Sequence, residues 1–105
     1  MPQYIIAYIG GQQPASEEDG QSQMQKWKDW IEQVGDAVIN PGTPLKDIRI
    51  MSPDGSVREG DTDDFHGFTV VETDSLDDAL AIARKCPYLE KGGRLEIAEM
   101  MNMPG

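Results

Sequence analysis

Residues 65–99, FHGFTVVETDSLDDALAIARKCPYLEKGGRLEIAE, decide the fold of this chain. The run at residues 67–72 is rich in β-branched and aromatic side chains, which predicts a strand. Asp74 and Ser75 are then placed to cap a helix, because their side-chain oxygens accept hydrogen bonds from the first turn. The alternating residues 94–99 predict a closing strand. The stretch therefore predicts the order strand, helix, strand.

The helix in the middle of this stretch has both ends of its dipole complemented. Acidic side chains occupy its predicted first turn, Arg84 and Lys85 its last, and Pro87 follows. Its predicted buried stripe is small enough for close approach to a sheet and consists of Leu76, Ala79, Leu80 and Ala83.

The first forty residues repeat the same order. Residues 4–9 predict a strand whose two faces are both apolar. Either Ser16 or Ser22 starts the following helix, and Gly35 ends it. Trp30 lies on the flank of an apolar stripe formed by Met24, Trp27, Ile31 and Val34.

A short strand and a hairpin are predicted between the two halves. Residues 37–39 form the strand, and residues 40–44 close it because their two prolines disfavour a long central strand. Residues 48–51 and 57–58 flank a Pro-Asp-Gly turn, which predicts a small hairpin. An acidic loop follows at residues 59–64.

This order predicts a single α+β domain over residues 1–105. The expected architecture is ferredoxin-like, β-α-β-β-α-β, with a four-stranded antiparallel sheet, both helices on one face and the hairpin as an insertion. The other sheet face then lacks a cover, and its apolar side chains come from residues 4–9 and from either Phe68 and Val70 or Thr69 and Val71. We expect a homodimer packed sheet on sheet, whose two copies close over each other before any pocket gains its walls.

Charge and cysteine content restrict the partners and the compartment. The chain carries 19 acidic and 9 basic residues, a formal charge of −10. Nucleic acids and anionic membranes attract basic surfaces, so neither is an expected partner. The single cysteine, Cys86, and an N-terminus without the pattern of a signal peptide or a membrane span predict a cytoplasmic protein.

Several segments together resemble the YCII-related family, also called the DGPF-domain family. The most specific is residues 67–79, and the likeness extends over residues 3–8, 40–42, 83–89 and 92–97. The resemblance implies the ferredoxin-like dimeric α/β barrel. It also implies a family with few assigned activities, among which a chloromuconolactone-dehalogenase-like branch is the best-known enzymatic example, and relatives of the same fold include cofactor-free monooxygenases.

The chain departs from the family pattern in two places. The Asp-Gly-Pro-Phe stretch of one branch is replaced by residues 59–65. Some relatives carry a histidine on the first helix, proposed to work with an aspartate, but residues 24–28 contain none. The chemistry of that dyad is therefore not carried over to this chain.

Four residues are candidates for a site. His66, the only histidine, precedes a core strand and is either a general acid or base or a strand-end side chain in water. Trp30 is a candidate for a ligand pocket, whereas Trp27 is expected in the core. Tyr8 is a further pocket candidate, and Arg94 pairs either with an anionic ligand or with neighbouring acids.

Other motifs predict no cofactor and no metal. The acidic loop at residues 59–64 lacks the full spacing of a calcium loop and is expected to be solvated. Cys86 follows a helix C-terminus, where the dipole disfavours a thiolate nucleophile. The glycine pairs at residues 10–11 and 92–93 lack the pattern of a phosphate loop.

Two hypotheses of different classes follow. In the first, the chain is a non-catalytic module that binds a small organic molecule and forms a homodimer. In the second, it is a lyase- or dehalogenase-like enzyme that acts on a small organic acid or lactone by acid–base chemistry with His66, in a site between sheet and helices. The first is preferred, because the sequence shows no nucleophile–base pair, metal set or cofactor motif.

Overall fold

The computed structural model describes residues 1–11, 15–61 and 64–101. The elements are, in chain order, β1 (Gln3–Ile9), α1 (Glu17–Val34), β2 (Val38–Pro44), β3 (Arg49–Met51), β4 (Val57–Glu59), β5 (Phe65–Glu72), α2 (Leu76–Ala83) and β6 (Arg94–Glu99). Short 3₁₀ helices occupy Gly35–Ala37 and Pro87–Lys91. Within these ranges, no helix has the length and apolar character needed to cross a membrane.

The four long strands form one sheet in the order β2-β5-β1-β6. Each neighbouring pair is antiparallel, with β5 and β1 in the centre. Strands β3 and β4 form a separate two-stranded hairpin closed by the predicted Pro-Asp-Gly turn. The predicted α+β ferredoxin-like fold is confirmed.

Local sequence sets the helix ends. The Ser16 hydroxyl accepts a hydrogen bond from the Asp19 amide at 3.1 Å and starts α1, so the alternative start at Ser22 is wrong. Gly35 ends α1 with φ +70°, a conformation that glycine adopts without steric cost. In α2 the Ser75 hydroxyl caps the Asp78 amide at 3.2 Å.

Two predicted details of α2 are wrong. The helix ends at Ala83, so Arg84 and Lys85 follow its last turn instead of occupying it. Leu76 is also largely exposed, and Ile82 packs against the core in its place.

Strand β2 is longer than predicted. It continues through the Asn40-Pro41-Gly42 segment to Pro44, whereas the prolines had been expected to end it at Ile39. The strand lies at the sheet edge and pairs only with β5, and its register shifts twice along that pair. An edge strand with bulges tolerates proline, because the missing N–H faces away from the ladder.

The register assigns the strand residues to two faces. Tyr4, Ile6 and Tyr8 point to the helices and lie opposite Val71, Thr69 and Gly67 of β5. These residues form the core together with α1 and α2. The intervening residues, Ile5 and Ala7 with Phe68 and Val70, therefore belong to the other face.

In the part of the chain that the structure describes, no helix covers that second face, which we call the open face. It carries Ile5, Ala7, Ile39, Phe68 and Val70, together with Glu96 and Ala98 of β6. The chain is only 19 Å thick along its shortest axis, as expected for one sheet and one helical layer. Its radius of gyration of 15.1 Å exceeds the roughly 13 Å of a compact domain of this length.

Candidate functional site

A cavity of about 480 Å³ lies on the helix side of the sheet, at the end where β1 finishes and β5 begins. The first half of α1 forms one wall, the end of β2 another, and the 3₁₀ helix at Pro87–Lys91 a third. Among the residues that the structure describes, its lining is mostly apolar and includes no Lys, Arg, Asp or Glu: Tyr8, Gly20, Gln23, Met24, Trp27, Gly42, Thr43, Pro44, His66, Gly67 and Tyr88.

Three aromatic side chains from three different elements form its walls. The ring centroid of Tyr8 lies 5.0 Å from that of Trp27, in an edge-to-face arrangement, and 5.0 Å from that of Tyr88. Trp27 in turn packs edge to face on Trp30 at 5.2 Å. Such ring pairs contribute about 0.5–1.5 kcal/mol each beyond their buried area. The cavity walls are therefore held rigidly by the core.

The polar hydrogens of these rings are used inside the protein. Trp27 Nε1 donates to the Pro41 carbonyl at 3.3 Å, and the Thr69 hydroxyl donates to the same oxygen at 3.2 Å. Since Thr69 has a single hydroxyl hydrogen, the Tyr8 hydroxyl must be the donor in its own bond to Thr69. The Tyr88 hydroxyl donates to the Gly10 carbonyl. The rings thus present their faces and edges to the cavity.

The two glycine pairs hold Tyr88 in place. A Cβ on Gly93 would lie 2.5 Å from Tyr88 Cδ2 and closer still to Cε2, and one on Gly11 would lie 3.2 Å from the hydroxyl oxygen. Real Cβ atoms do not approach a ring this closely, so Gly11 and Gly93 form a slot that only glycine permits. One glycine of each pair, Gly11 and Gly93, is thus explained by packing against Tyr88.

A β-bulge brings His66 to the cavity. Tyr8 lies opposite Gly67 and Ile9 lies opposite Phe65, so His66 is the extra residue of β5. Regular alternation would place His66 on the open face with Phe68, but a bulge redirects the side chain it carries. Its carbonyl accepts from the Leu45 amide at 2.9 Å. His66 therefore lines the cavity on one side and a groove beside the hairpin on the other.

Gly67 allows β2 to approach this bulge. A Cβ at Gly67 would lie 2.8 Å from the Thr43 carbonyl oxygen, so any other residue would push the two strands apart. Among the described residues the His66 side chain makes no hydrogen bond or ion pair. The imidazole is therefore available to a bound molecule.

Burial keeps the other ionisable groups near the cavity neutral. It raises the pKa of Tyr8 far above its ordinary value, an effect that the hydrogen bond with Thr69 only partly opposes. It also raises the pKa of Tyr88. The thiol of Cys86, adjacent to Tyr8, has its pKa raised by burial to about 11.

The remaining pocket candidates lie elsewhere. Trp30 is 4 % exposed, donates from Nε1 to the Ile82 carbonyl at 3.1 Å, and lines two grooves on the far side of α1. Arg94 lies exposed on the edge strand, 3.8 Å from Glu96. Trp27 lines the cavity and also packs against the core, whereas Trp30 is buried in the core and borders the two grooves. Met24, expected in the buried stripe, is 56 % exposed at the cavity rim.

The acidic loop is only partly described, since Thr62 and Asp63 lie outside the described residues. Asp64 accepts from the Asp61 amide at 2.7 Å and pairs with Arg58 at 3.2 Å, and both contacts lower its pKa, the Asp61 amide most. No group of three or more potential metal ligands occurs in the described part of the chain.

The cavity is lined by α1, β2 and the 3₁₀ helix of a single chain. The expectation that two copies close over each other stays a prediction. Sequence reasoning missed Trp27 and Tyr88 as wall residues. The signal for Tyr88 was the two glycine pairs, one at each end of the β-α-β core, which mark close approach to a ring.

The fold and the cavity define a small α+β protein with a ferredoxin-like sheet and a pocket lined by aromatic side chains. The family model described as "YCII-related domain" matches residues 5–103. The chain therefore belongs to the YCII-related domain family. A search among curated proteins found no match.

One solved structure has the same fold along almost the whole chain. It is 5-chloro-2-hydroxyhydroquinone dehydrochlorinase from Burkholderia phenoliruptrix AC1100, in complex with 2,5-dihydroxybenzoquinone. The TM-score is 0.60 at 14% sequence identity, and the match covers 96% of this chain and 95% of that chain. At this identity the likeness establishes the fold.

Proposed function

We propose that this chain binds a small planar organic molecule in the aromatic cavity. The observation that carries the proposal is the arrangement of Tyr8, Trp27 and Tyr88 around a mostly apolar space with His66 at its edge. Aromatic walls with a few placed polar groups are typical of small-molecule sites. The volume of about 480 Å³ lies within the range of such sites and suits one ring with small substituents.

The side chains that form the walls of the pocket are held in place before a ligand binds. Trp27 is fixed by its bond to the Pro41 carbonyl, and Tyr88 by the glycine slot and its bond to Gly10. Preformed walls lose little conformational entropy when a ligand binds. The binding energy is therefore available for shape recognition of the ring.

The binding proposal is tested by observing the two indole N–H signals in an NMR titration with small aromatic compounds such as phenol and benzamide. The expected result is a saturable shift of the Trp27 signal, with the Trp30 signal much less affected because that side chain faces the core. Met24→Ala, at the cavity rim, should weaken binding several-fold, whereas Met51→Ala, on the exposed hairpin, should not. Absence of any saturable shift with such rings would refute the proposal.

A second candidate function is acid–base catalysis, favoured by the bulge that turns His66 into the cavity. His66 would accept a proton from the bound molecule while a leaving group departs with its bonding electron pair, so that the elements of an acid are eliminated. The structural neighbour, named as a dehydrochlorinase, makes this reaction class a reasonable test for the fold.

Catalysis is tested by chloride release from 5-chloro-2-hydroxyhydroquinone. If His66 is the base, the wild-type chain releases chloride above the uncatalysed rate and His66→Gln lowers the rate by about 10²-fold or more, since general-base catalysis contributes 10²–10⁴-fold. Glutamine keeps a polar side chain of similar size, so binding should persist. Saturable binding of this compound without chloride release would contradict catalysis and favour the function of a binding module.

A homodimer through the open face is proposed as the assembly. The face carries the half-buried Ile5 and Phe68 and the 49 % exposed Ile39, with no helix over them. Covering a few hundred square ångströms of such surface stabilises an assembly by several kcal/mol at ~25 cal/mol per Å². Salt screens the repulsion between two chains of charge −10.

The assembly is tested by light scattering of two matched variants. Ile39→Asp places a charge on the open face and should convert the dimer to a monomer. Leu76→Asp changes a side chain of similar exposure on the helix side and should leave the mass unchanged. A monomeric wild-type chain, or a dimer indifferent to Ile39→Asp, would contradict the proposal.

A further inference from the structure

Building on the proposed binding function, we infer that the cavity selects an uncharged ring compound and rejects a carboxylate of the same shape. The shape of the cavity does not determine the charge of its ligand. The charges of the lining residues and the hydrogen-bond donors that they leave free determine it.

The lining provides no fixed positive charge. Its eleven residues include no Lys or Arg, and the chain as a whole carries −10. The first turn of α1, whose amide groups would otherwise favour an anion, carries the carboxylates of Glu17, Glu18 and Asp19. A buried anion needs a paired charge or several donors to offset the loss of its hydration.

The walls also offer few donors. Trp27 Nε1 is bonded to Pro41, the Tyr8 hydroxyl to Thr69 and the Tyr88 hydroxyl to Gly10. Of the polar lining residues, Thr43 donates its hydroxyl hydrogen to Asn40 at 3.4 Å, and Gln23 donates one amide hydrogen to Asp19 at 3.3 Å and keeps the other. A ligand on these rings would therefore meet ring carbons, hydroxyl lone pairs and the few donors of Gln23 and His66, which suit a single hydroxyl or carbonyl substituent better than a carboxylate.

The groove on the other side of His66 does not supply the missing charge. It contains two cationic side chains and three carboxylates: Lys46, Asp47, Arg49, Glu59 and Asp61. Arg49 is already within 3.9 Å of Glu59. The field around His66 therefore opposes an anion, and of the substrates expected from the sequence a neutral lactone fits the cavity better than a free organic acid.

The test compares benzamide with benzoate, which have nearly the same shape and differ in charge. Binding is measured on the wild-type chain at about pH 8, where benzoate is ionised and benzamide is neutral, with the Trp27 indole N–H as the reporter. Benzamide should bind at least about tenfold more tightly than benzoate, since an unpaired carboxylate is costly to desolvate.

A charge-adding variant provides a second measurement. Met24→Lys introduces an ammonium group at the cavity rim and should narrow the preference for benzamide by several-fold, whereas Met51→Lys on the distant hairpin should not. Benzoate binding as tightly as benzamide to the wild-type chain would overturn the inference and leave the proposed function standing. If benzamide, benzoate and phenol all fail to bind, the proposed function and the inference are both refuted.

Discussion

Replacing Gly93 with alanine tests how the cavity wall is built. The new Cβ would lie 2.5 Å from Tyr88 Cδ2, so the ring must leave its slot between the two glycine pairs. Leaving the slot breaks the bond from the Tyr88 hydroxyl to the Gly10 carbonyl and separates the ring from Tyr8. The backbone at Gly93 does not have a positive φ, so the effect is steric.

The expected loss of stability follows from those contacts. A lost neutral hydrogen bond costs about 0.5–1.5 kcal/mol, and a lost aromatic pair costs about as much again. We therefore expect Gly93→Ala to lower the free energy of unfolding by about 2 kcal/mol, within the usual range for overpacked sites. Gly92→Ala is the matched control, because its Cβ would meet nothing within 4 Å and only its φ of +76° costs about 1 kcal/mol.

The assay is urea unfolding followed by tryptophan fluorescence at one protein concentration, repeated in a Tyr88→Ala background. Without the ring, the cost of Gly93→Ala should fall to about 0.5 kcal/mol or less, a coupling energy of about 1.5 kcal/mol. The cost of Gly92→Ala should be the same in both backgrounds. If Gly93→Ala lowers the free energy of unfolding equally with and without the Tyr88 ring, the steric explanation is refuted.

Three further outcomes are expected. Burial raises the pKa of Cys86 to about 11 from an ordinary 9.0, so the thiol of the unfolded chain ionises first as pH rises. The stabilisation from this residue is therefore complete below about pH 9 and is lost as pH rises towards 11. If Cys86→Ala leaves the pH dependence of the free energy of unfolding unchanged over that range, the prediction is contradicted. Hydrogen bonding to the Ala15 amide and then to Lys91 lowers the pKa of Asp19, so its stabilisation is present above its unfolded pKa and fades as pH falls; Asp19→Asn should remove that part of the acid dependence in calorimetry. Gly42→Ala places a Cβ 3.2 Å from the indole ring of the cavity wall and should weaken ligand binding, whereas Gly55→Ala, with open space around it, should leave binding unchanged in the same titration.

The fold was predictable because local signals agree with one another. Ser16 and Ser75 start the two helices, Gly35 ends the first, and residues 94–99 form the last strand with the predicted bounds. Each signal depends on side chains within a few residues of the position they determine. The tertiary packing agrees with these local preferences, so the folded protein keeps the predicted features.

The errors arose where a distant element decides the outcome. Periodicity placed Trp30 on the flank of α1, but packing against α2 buries it and leaves Met24 exposed. Prolines were expected to end β2, but its edge position makes them harmless. Neither result follows from residue spacing, because each depends on where another element lies.

The candidate site was predictable only in part. His66 and Tyr8 were singled out from the sequence, and the structure brings both to one cavity. The register shift that turns His66 to the helix side is invisible in an alternating pattern, since that pattern assigns the residue to the opposite face. Trp27 was expected in the core because a lone sequence cannot distinguish a buried ring from one that lines a cavity.

The two faces of the sheet separate the proposed binding from the proposed assembly. The cavity lies on the helix side and is lined by residues of one chain, while the open face carries Ile5, Ile39 and Phe68 on the reverse. Two sites influence each other only through a difference in free energy that both of them bias. The lining of the cavity shares no residue with the open face. Ligand affinity should therefore be the same within about twofold below and above the dimer dissociation constant, measured by fluorescence titration at both concentrations. A tenfold difference would mean that the second copy completes the cavity, and would place the site at the interface.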